Sequence, residues 1–367
     1  MKFTCQRENL LNGINIVSKA VSGRTTLPIL ECILLTVSKE GFKLTANNLE
    51  LGIETAFIDA DVEETGIIAI EAKIFSEIIR RINGESVSIE TDEKNMTLIS
   101  SGFSQFKIAG QDGEDFPMLP IVEKNNEYVL FQNDLRNMIR QTIFSIAQDE
   151  SKPVLTGELI ELSNNSINMV SVDGYRISYK KSNLISGNDN IEVIVPGKTL
   201  NEISKILSNE GEDKVSLYVT DKHILFDLGK SIVVSRLIEG EYIKYRQSFT
   251  EDFKTKIIVS RSELISSLER ACLISRDSKK IPVKLEIGGN RIIINSNAEL
   301  GTAHEEIEID CDGDGLKIAF NPRYLIEALK VIEEDKVAIQ FTASLSPCII
   351  KPLDGDEYKY LILPLRM

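Results

Sequence analysis

One pattern occurs three times along this chain at nearly constant spacing, and it narrows the fold before any single residue is weighed. Leu10, Ile14, Val17 and Val21 fall at i, i+4, i+7 and i+11, an apolar stripe on one face of a helix. The spacing recurs at Leu135, Ile139, Thr142 and Ile146, and again at Leu264, Leu268, Ala271 and Ser275. A proline follows each stripe (Pro28, Pro153, Pro282) and reads as a residue that cannot continue the helix. The leading leucines and the prolines are both spaced by 125 and 129 residues.

Each proline precedes a hairpin pattern. ILLTVSKEGFKLTA alternates around Lys39-Glu40-Gly41, LIELSNNSINMVSV around Asn164-Asn165, and VKLEIGGNRIIINS around Gly288-Gly289. A second helix pattern then starts at Lys73, Lys198 and Arg323, spaced by 125 and 125. Each copy has a base first, an apolar residue two on (Phe75, Leu200, Leu325) and an acid four on (Glu77, Glu202, Glu327). Alternating strands close every copy. The polar stretches VEKNNEY and FTEDFKT place boundaries near 122 and 250, giving units 1–122, 123–250 and 251–367. Each is long enough for its own core.

Two helices with about eight strands per unit predict an α+β fold, with helices packed on antiparallel sheets. Three like units in a row leave an unpaired strand at each end, and such edges pair with other chains. Head-to-tail pairing closes a ring if the rotation permits and otherwise grows a filament.

The formal net charge is −14, which as one number argues against nucleic-acid binding. Its distribution says more. The six helical windows (7–24, 71–84, 133–152, 197–209, 260–280, 321–331) together carry +7, leaving −21 for everything else. At a Debye length of about 8 Å, acids on the far side of a unit barely oppose a basic helical face. Such a face would hold duplex DNA, one phosphate per about 1.7 Å of axis, weakly and without sequence preference. The bland alternative is that these bases complement helix dipoles or sit on solvated faces.

Other classes find little support. No GxxxxGK[ST] or GxSxG occurs, and His223, in the strand pattern KHILF, has no cysteine or second histidine nearby to suggest a metal. Five scattered cysteines (Cys5, Cys32, Cys272, Cys311, Cys348) suggest reduced, mostly buried thiols rather than a disulfide framework or a zinc site. DCDGDG at Asp310–Gly315 looks like half an EF-hand loop, but Asn321 stands at the twelfth position and a strand pattern follows, so an acidic turn is expected. No apolar run approaches the about 20 residues that span a bilayer, and MKFTCQRENLL lacks the apolar stretch of a secretory signal, so a cytoplasmic location is expected. The expectation is a protein with no catalytic residue, metal or cofactor.

Several segments in order carry a resemblance: MKFTCQRENLL, GRTTLPIL at Gly23–Leu30, ANNLELGI at Ala46–Ile53, EDFPMLP at Glu114–Pro120, SVDGYRIS at Ser171–Ser178, and ILPLRM at Ile362–Met367. Over its whole length the chain resembles the bacterial sliding clamps, the β subunits of DNA polymerase III. That resemblance implies the DNA-clamp fold, with three repeated domains forming half of a six-domain ring. It implies a homodimer around sequence-independent double-stranded DNA. The ring does no chemistry and makes the replicative DNA polymerase processive. A clamp loader and repair proteins share with the polymerase a pocket for short apolar peptides. A protein-binding scaffold without topological DNA binding is the alternative.

Matched residue by residue, the resemblance places in that pocket Leu155, Gly174, Tyr175, Arg176, Ile177, Arg246, Asn321, Tyr324 and Leu345, with the tail Ile362, Leu363, Pro364, Leu365, Arg366 and Met367. Tyr175 stands where a relative can have histidine, and Ile243 where one can have proline, which bears on peptide preference. DNA contacts through phosphates are expected from Arg24, Lys152, Lys279 and Lys280 before the three prolines, and from Lys73, Arg80, Lys198 and Lys205 on the second helices. The dimer seam is expected from Phe106 and Lys107 in FSQFKIAG, against Leu273, Ile274 and the acidic strand HEEIEID.

Overall fold

The aligned stripes are helices, but shorter ones than the pattern suggests. The structure is a computed structural model describing residues 1–23, 25–250, 252–275 and 282–366. Its described residues form six α-helices: α1 (Arg7–Val17), α2 (Ala72–Arg81), α3 (Gln132–Thr142), α4 (Gly197–Ile203), α5 (Arg261–Cys272) and α6 (Pro322–Val331). The first three positions of every stripe are buried. The fourth lies beyond the helix. Single 3₁₀ turns, Ser18–Ala20 and Ile143–Ser145, carry the chain to Val21 and Ile146 in extended backbone.

Side-chain oxygens explain the early ends. The Ser18 hydroxyl donates to the Ile14 carbonyl at 2.6 Å, and the Thr142 hydroxyl to the Met138 carbonyl at 2.7 Å, competing with the backbone ladder. Pro28 and Pro153 therefore do not end helices; each opens a short 3₁₀ turn, Pro28–Glu31 and Pro153–Thr156, where its fixed φ fits. The shortening also lowers the helical charge. α2 carries +2, α3 and α6 carry +1 each, and the other three are neutral, so +4 replaces +7. No helix of the described residues is long and apolar enough to cross a membrane.

The strands form four sheets in two compact units. The first unit comprises Met1–Asn133, Ile185–Asn188 and Asn201–Leu237. Its five-stranded sheet runs Asp61–Glu64, Lys2–Gln6, Ser86–Thr91, Met96–Ser101, Ser104–Ala109. Its nine-stranded sheet joins two repeats: Leu51–Thr55 of the first pairs antiparallel with Ser231–Arg236 of the second, Ile53 opposite Val233. α1 and α2 pack on each other here, over a core that includes Phe3, Phe42, Leu44 and Phe75. The expected hairpin Cys32–Ser38 to Gly41–Asn47 turns through Gly41. Its φ of +122° puts a hypothetical Cβ 2.2 Å from the Ile58 carbonyl oxygen, so only glycine fits.

The second unit comprises Asp134–Leu184, Asp189–Leu200 and Ile238–Met367. Its nine-stranded sheet again joins two repeats, with Arg176–Asn183 antiparallel to Tyr358–Ile362 and Ile177 opposite Leu361. Its four-stranded sheet runs Gly301–Glu308, Arg291–Ala298, Val283–Gly288, Leu316–Phe320, and α5 packs on α6. The acidic segment Asp310–Gly313 is a strand paired with Thr255–Ile258, not a turn or a loop of the EF-hand kind.

Glu158, on the strand Gly157–Leu162, is fully buried in this unit. Its Oε1 accepts the Ser171 hydroxyl at 2.6 Å, while Oε2 has no hydrogen-bond partner among the described residues. Burial disfavours the ionised form and pushes the carboxyl up to about 7. The folded value thus lies above the unfolded one. The resulting cost to folding is absent below about pH 4.5, grows towards pH 7, and is full above it, about 3 kcal/mol at 1.36 kcal/mol per unit. Glu158→Gln removes this titration. In urea denaturation at pH 5 and pH 8, the variant's stability relative to the parent should be about 2 kcal/mol more favourable at pH 8. A difference that does not change with pH would contradict the assignment.

Candidate functional site

A four-residue turn organises the second unit's exposed apolar surface. Asp173 Oδ1 accepts the Tyr175 and Arg176 amides at 2.9 and 3.1 Å, an Asx turn. Gly174 follows with φ +89°, and nothing lies within 4 Å of where its Cβ would be. Backbone conformation, not crowding, selects glycine there. The turn leaves Tyr175 58% exposed and sends Arg176 inward.

Arg176 is buried with every donor edge engaged. Nε donates to Asp173 Oδ2 at 2.9 Å, Nη1 to Glu327 Oε2 at 2.5 Å and Nη2 to the Phe144 carbonyl at 2.5 Å. The guanidinium lies 4.5 Å from the Tyr324 ring centre and 5.2 Å from that of Phe144. Tyr324 in turn stacks on Tyr175, ring centres 6.2 Å apart. Arg323 Nε reaches the other oxygen of Glu327 at 2.6 Å. Burial raises the Glu327 pKa, but the hydrogen bonds from Arg323 and Arg176 outweigh it, and the carboxyl stays below its ordinary value. Asp173, Arg176, Glu327 and Arg323 thus sum to zero charge.

The C-terminal tail lies along this turn. Ile362 pairs with Arg176, the Leu363 amide donates to the Tyr175 carbonyl at 2.9 Å, and the Leu365 amide to the Ala319 carbonyl at 2.8 Å. Leu363 is 40% exposed, Pro364 and Leu365 are partly buried, and Arg366 is exposed. Beside the turn, Leu155 and Ile177 share an apolar cluster with Val172, Tyr242, Tyr245 and Leu361. Asn321 caps α6 by accepting the Arg323 amide at 3.1 Å. Arg246 is exposed but tied down, Nη2 to Glu161 Oε2 at 2.7 Å, an oxygen that also accepts the Tyr245 hydroxyl at 2.8 Å.

Leu155, Gly174, Tyr175, Arg176, Ile177, Tyr324, Ile362, Leu363 and Leu365 therefore converge. Leu345 stands 72% exposed before the strand Cys348–Lys351 and belongs to no described apolar cluster. Met367 lies outside the described residues. Sequence reasoning missed Val172, Tyr242 and Glu327. Glu327 was visible as the acid four residues after Arg323, a spacing that reads only as a local helix pair.

Of the expected DNA contacts, Arg24, Lys279 and Lys280 lie outside the described residues. Lys73 and Lys198 are exposed in the first turns of α2 and α4 and make no ion pair among the described residues. A base there opposes the helix dipole, so dipole compensation does not account for them. Arg80 lies on α2, whereas Lys205, expected on a helix, lies in the turn after α4 ends at Ile203; both have local partners, Glu77 at 3.5 Å and Glu202 at 2.6 Å. Lys152 is exposed before Pro153.

The two outer strands of the expected seam are edges. Ser104–Ala109 borders the five-stranded sheet and Gly301–Glu308 the four-stranded one. Phe106 is 40% and Leu273 52% exposed, so neither is core; Ile274 is partly buried. The turn holding Leu273 and Ile274 packs beside the strand Gly301–Glu308. The charges on these edges are largely matched within the chain: Lys107 with Asp92 at 3.9 Å, Glu305 with Arg270 at 2.5 Å, Glu306 with Arg291 at 3.4 Å. Exposed apolar groups, rather than free charge, are what the edges offer a partner.

The chain matches three parts of one family's description: the DNA polymerase III beta subunit N-terminal domain over residues 1–120, central domain over 129–244 and C-terminal domain over 246–366. It is 34% identical to the beta sliding clamp of Staphylococcus epidermidis, covering 100% of this chain and 99% of that one. A crystal structure of a DNA polymerase III beta subunit from Eubacterium rectale superposes with a TM-score of 0.97 at 45% identity, covering 100% of each chain. The DNA polymerase sliding clamp of Bacillus subtilis does so with a TM-score of 0.96 at 33% identity, covering 100% of this chain and 99% of that one. With three family descriptions in chain order and whole-length likeness to solved members, the chain belongs to the DNA polymerase III beta subunit family, the bacterial sliding clamps.

Proposed function

We propose that two copies of this processivity clamp join through their end strands, Ser104–Ala109 of one against Gly301–Glu308 of the other, in a closed ring around duplex DNA. The observation that carries this is the pair of exposed edges with Phe106 on one and Leu273 beside the other. Unpaired backbone donors and acceptors flanked by apolar side chains are what strand addition buries. The head-to-tail symmetry is satisfied by two identical contacts. Domains 1–122, 123–250 and 251–367 each supply two helices, and Lys73, Lys198, Lys152, Arg80 and Lys205 meet phosphates without reading bases. Arg24, Lys279 and Lys280 extend that set. The ring acts in the cytoplasm and carries no active site of its own.

The surface formed by Tyr175, Tyr324, Leu155, Ile177 and the tail takes a short apolar segment of the polymerase, the clamp loader or a repair protein. Support comes from its neutrality: its charged groups satisfy one another, leaving aromatic and aliphatic faces as anchors.

Two experiments test these parts separately. Phe106→Asp should convert the dimer to a monomer of 41.0 kDa by light scattering; an unchanged mass removes that strand from the seam. Deleting residues 363–367 removes the tail's hydrogen bonds to Tyr175 and Ala319. It should lower polymerase stimulation at least tenfold while leaving the dimer intact. Full stimulation by the truncated protein would put the partner surface elsewhere.

A further inference from the structure

We propose that Glu327 is a positioning residue of the partner surface, acting through Arg176; this rests on the partner-surface reading above. Glu327 is a quarter exposed and adds no apolar face to the site itself. It sits on α6, in the third repeat, and its Oε2 accepts Arg176 Nη1 from the second repeat. Arg176 carries the Tyr324 ring at 4.5 Å, and Tyr324 backs the exposed Tyr175 at 6.2 Å. The Glu327 carboxylate, together with Asp173 and the Phe144 carbonyl, therefore fixes the plane against which Tyr324, and through it Tyr175, is stacked. The geometry needs a full anion: Glu327 accepts two arginines on two oxygens, Arg323 on Oε1 and Arg176 on Oε2. A neutral amide offers one accepting oxygen and turns an N–H toward the other guanidinium. Arg323 is exposed and can take water instead. Arg176 is buried and cannot, so even when the amide keeps its oxygen on Arg176 the buried guanidinium loses the compensating charge that holds it.

The test is a double-mutant cycle on peptide affinity in the full-length protein. The probe is a fluorescein-labelled nonapeptide whose only apolar side chains are two leucines and a phenylalanine, followed by fluorescence polarisation. Thermal melts confirm that every variant is folded at the assay temperature. Glu327→Gln should weaken binding at least tenfold in the parent background and less than twofold in an Arg176→Met background, because the effect passes through Arg176. Equal losses in both backgrounds would mean that Glu327 merely stabilises α6, and an unchanged affinity in the parent background would mean that it does nothing for the site; either overturns the proposal. Failure of the parent protein to bind the probe would instead defeat the partner-surface reading itself, and the positioning role with it.

Discussion

Main-chain hydrogen bonds between strands of neighbouring repeats hold this structure's organisation together. Leu51–Thr55 pairs with Ser231–Arg236, and Arg176–Asn183 pairs with Tyr358–Ile362, so each nine-stranded sheet draws on two repeats. Along those registers the backbone groups that face across the join are satisfied by a different copy of the same unit, and breaking them would leave them unpaired. The same rule applied at the ends leaves Ser104–Ala109 and Gly301–Glu308 bordering their sheets without a second neighbour.

The join between the second and third repeats also builds the surface proposed to take partners. Pairing Arg176 with Ile362 sets the DGYR turn beside the tail, and the ion pair with Glu327 ties that turn to α6. A buried arginine with three polar partners and two aromatic faces is an expensive arrangement unless complete. Completeness here has a functional side: it leaves the surface uncharged, suited to aliphatic and aromatic anchors. The basic residues of α2 and α4 work differently. Lys73 and Lys198 remain solvated and unpaired among the described residues, which suits the phosphate contacts proposed for them.

Much of this was legible in the sequence, because burial repeats with the fold. The threefold stripe and the base–apolar–acid pattern after it located the six described helices, and Gly41 and the asparagine and glycine pairs located the hairpins. What escaped has physical reasons. The helix ends were overrun because hydroxyl back-bonding at Ser18 and Thr142 leaves no mark in an apolar period. Within the site, the DGYR motif marked the turn, but Glu327 is 151 residues from Arg176, and no spacing rule connects them. Charges on the expected seam strands also pair inside one chain, as Glu305 does with Arg270, which only the packed structure reveals.

The central claim is topological: the ring holds DNA by enclosing it, not by affinity. The most direct measurement is retention of the loaded protein on a nicked circular duplex during gel filtration in high salt, before and after a single restriction cut. Enclosure predicts that the protein co-elutes with the circle despite the salt and is released once the DNA is linear. Loss from the intact circle in high salt, or equal retention on circle and line, would contradict it.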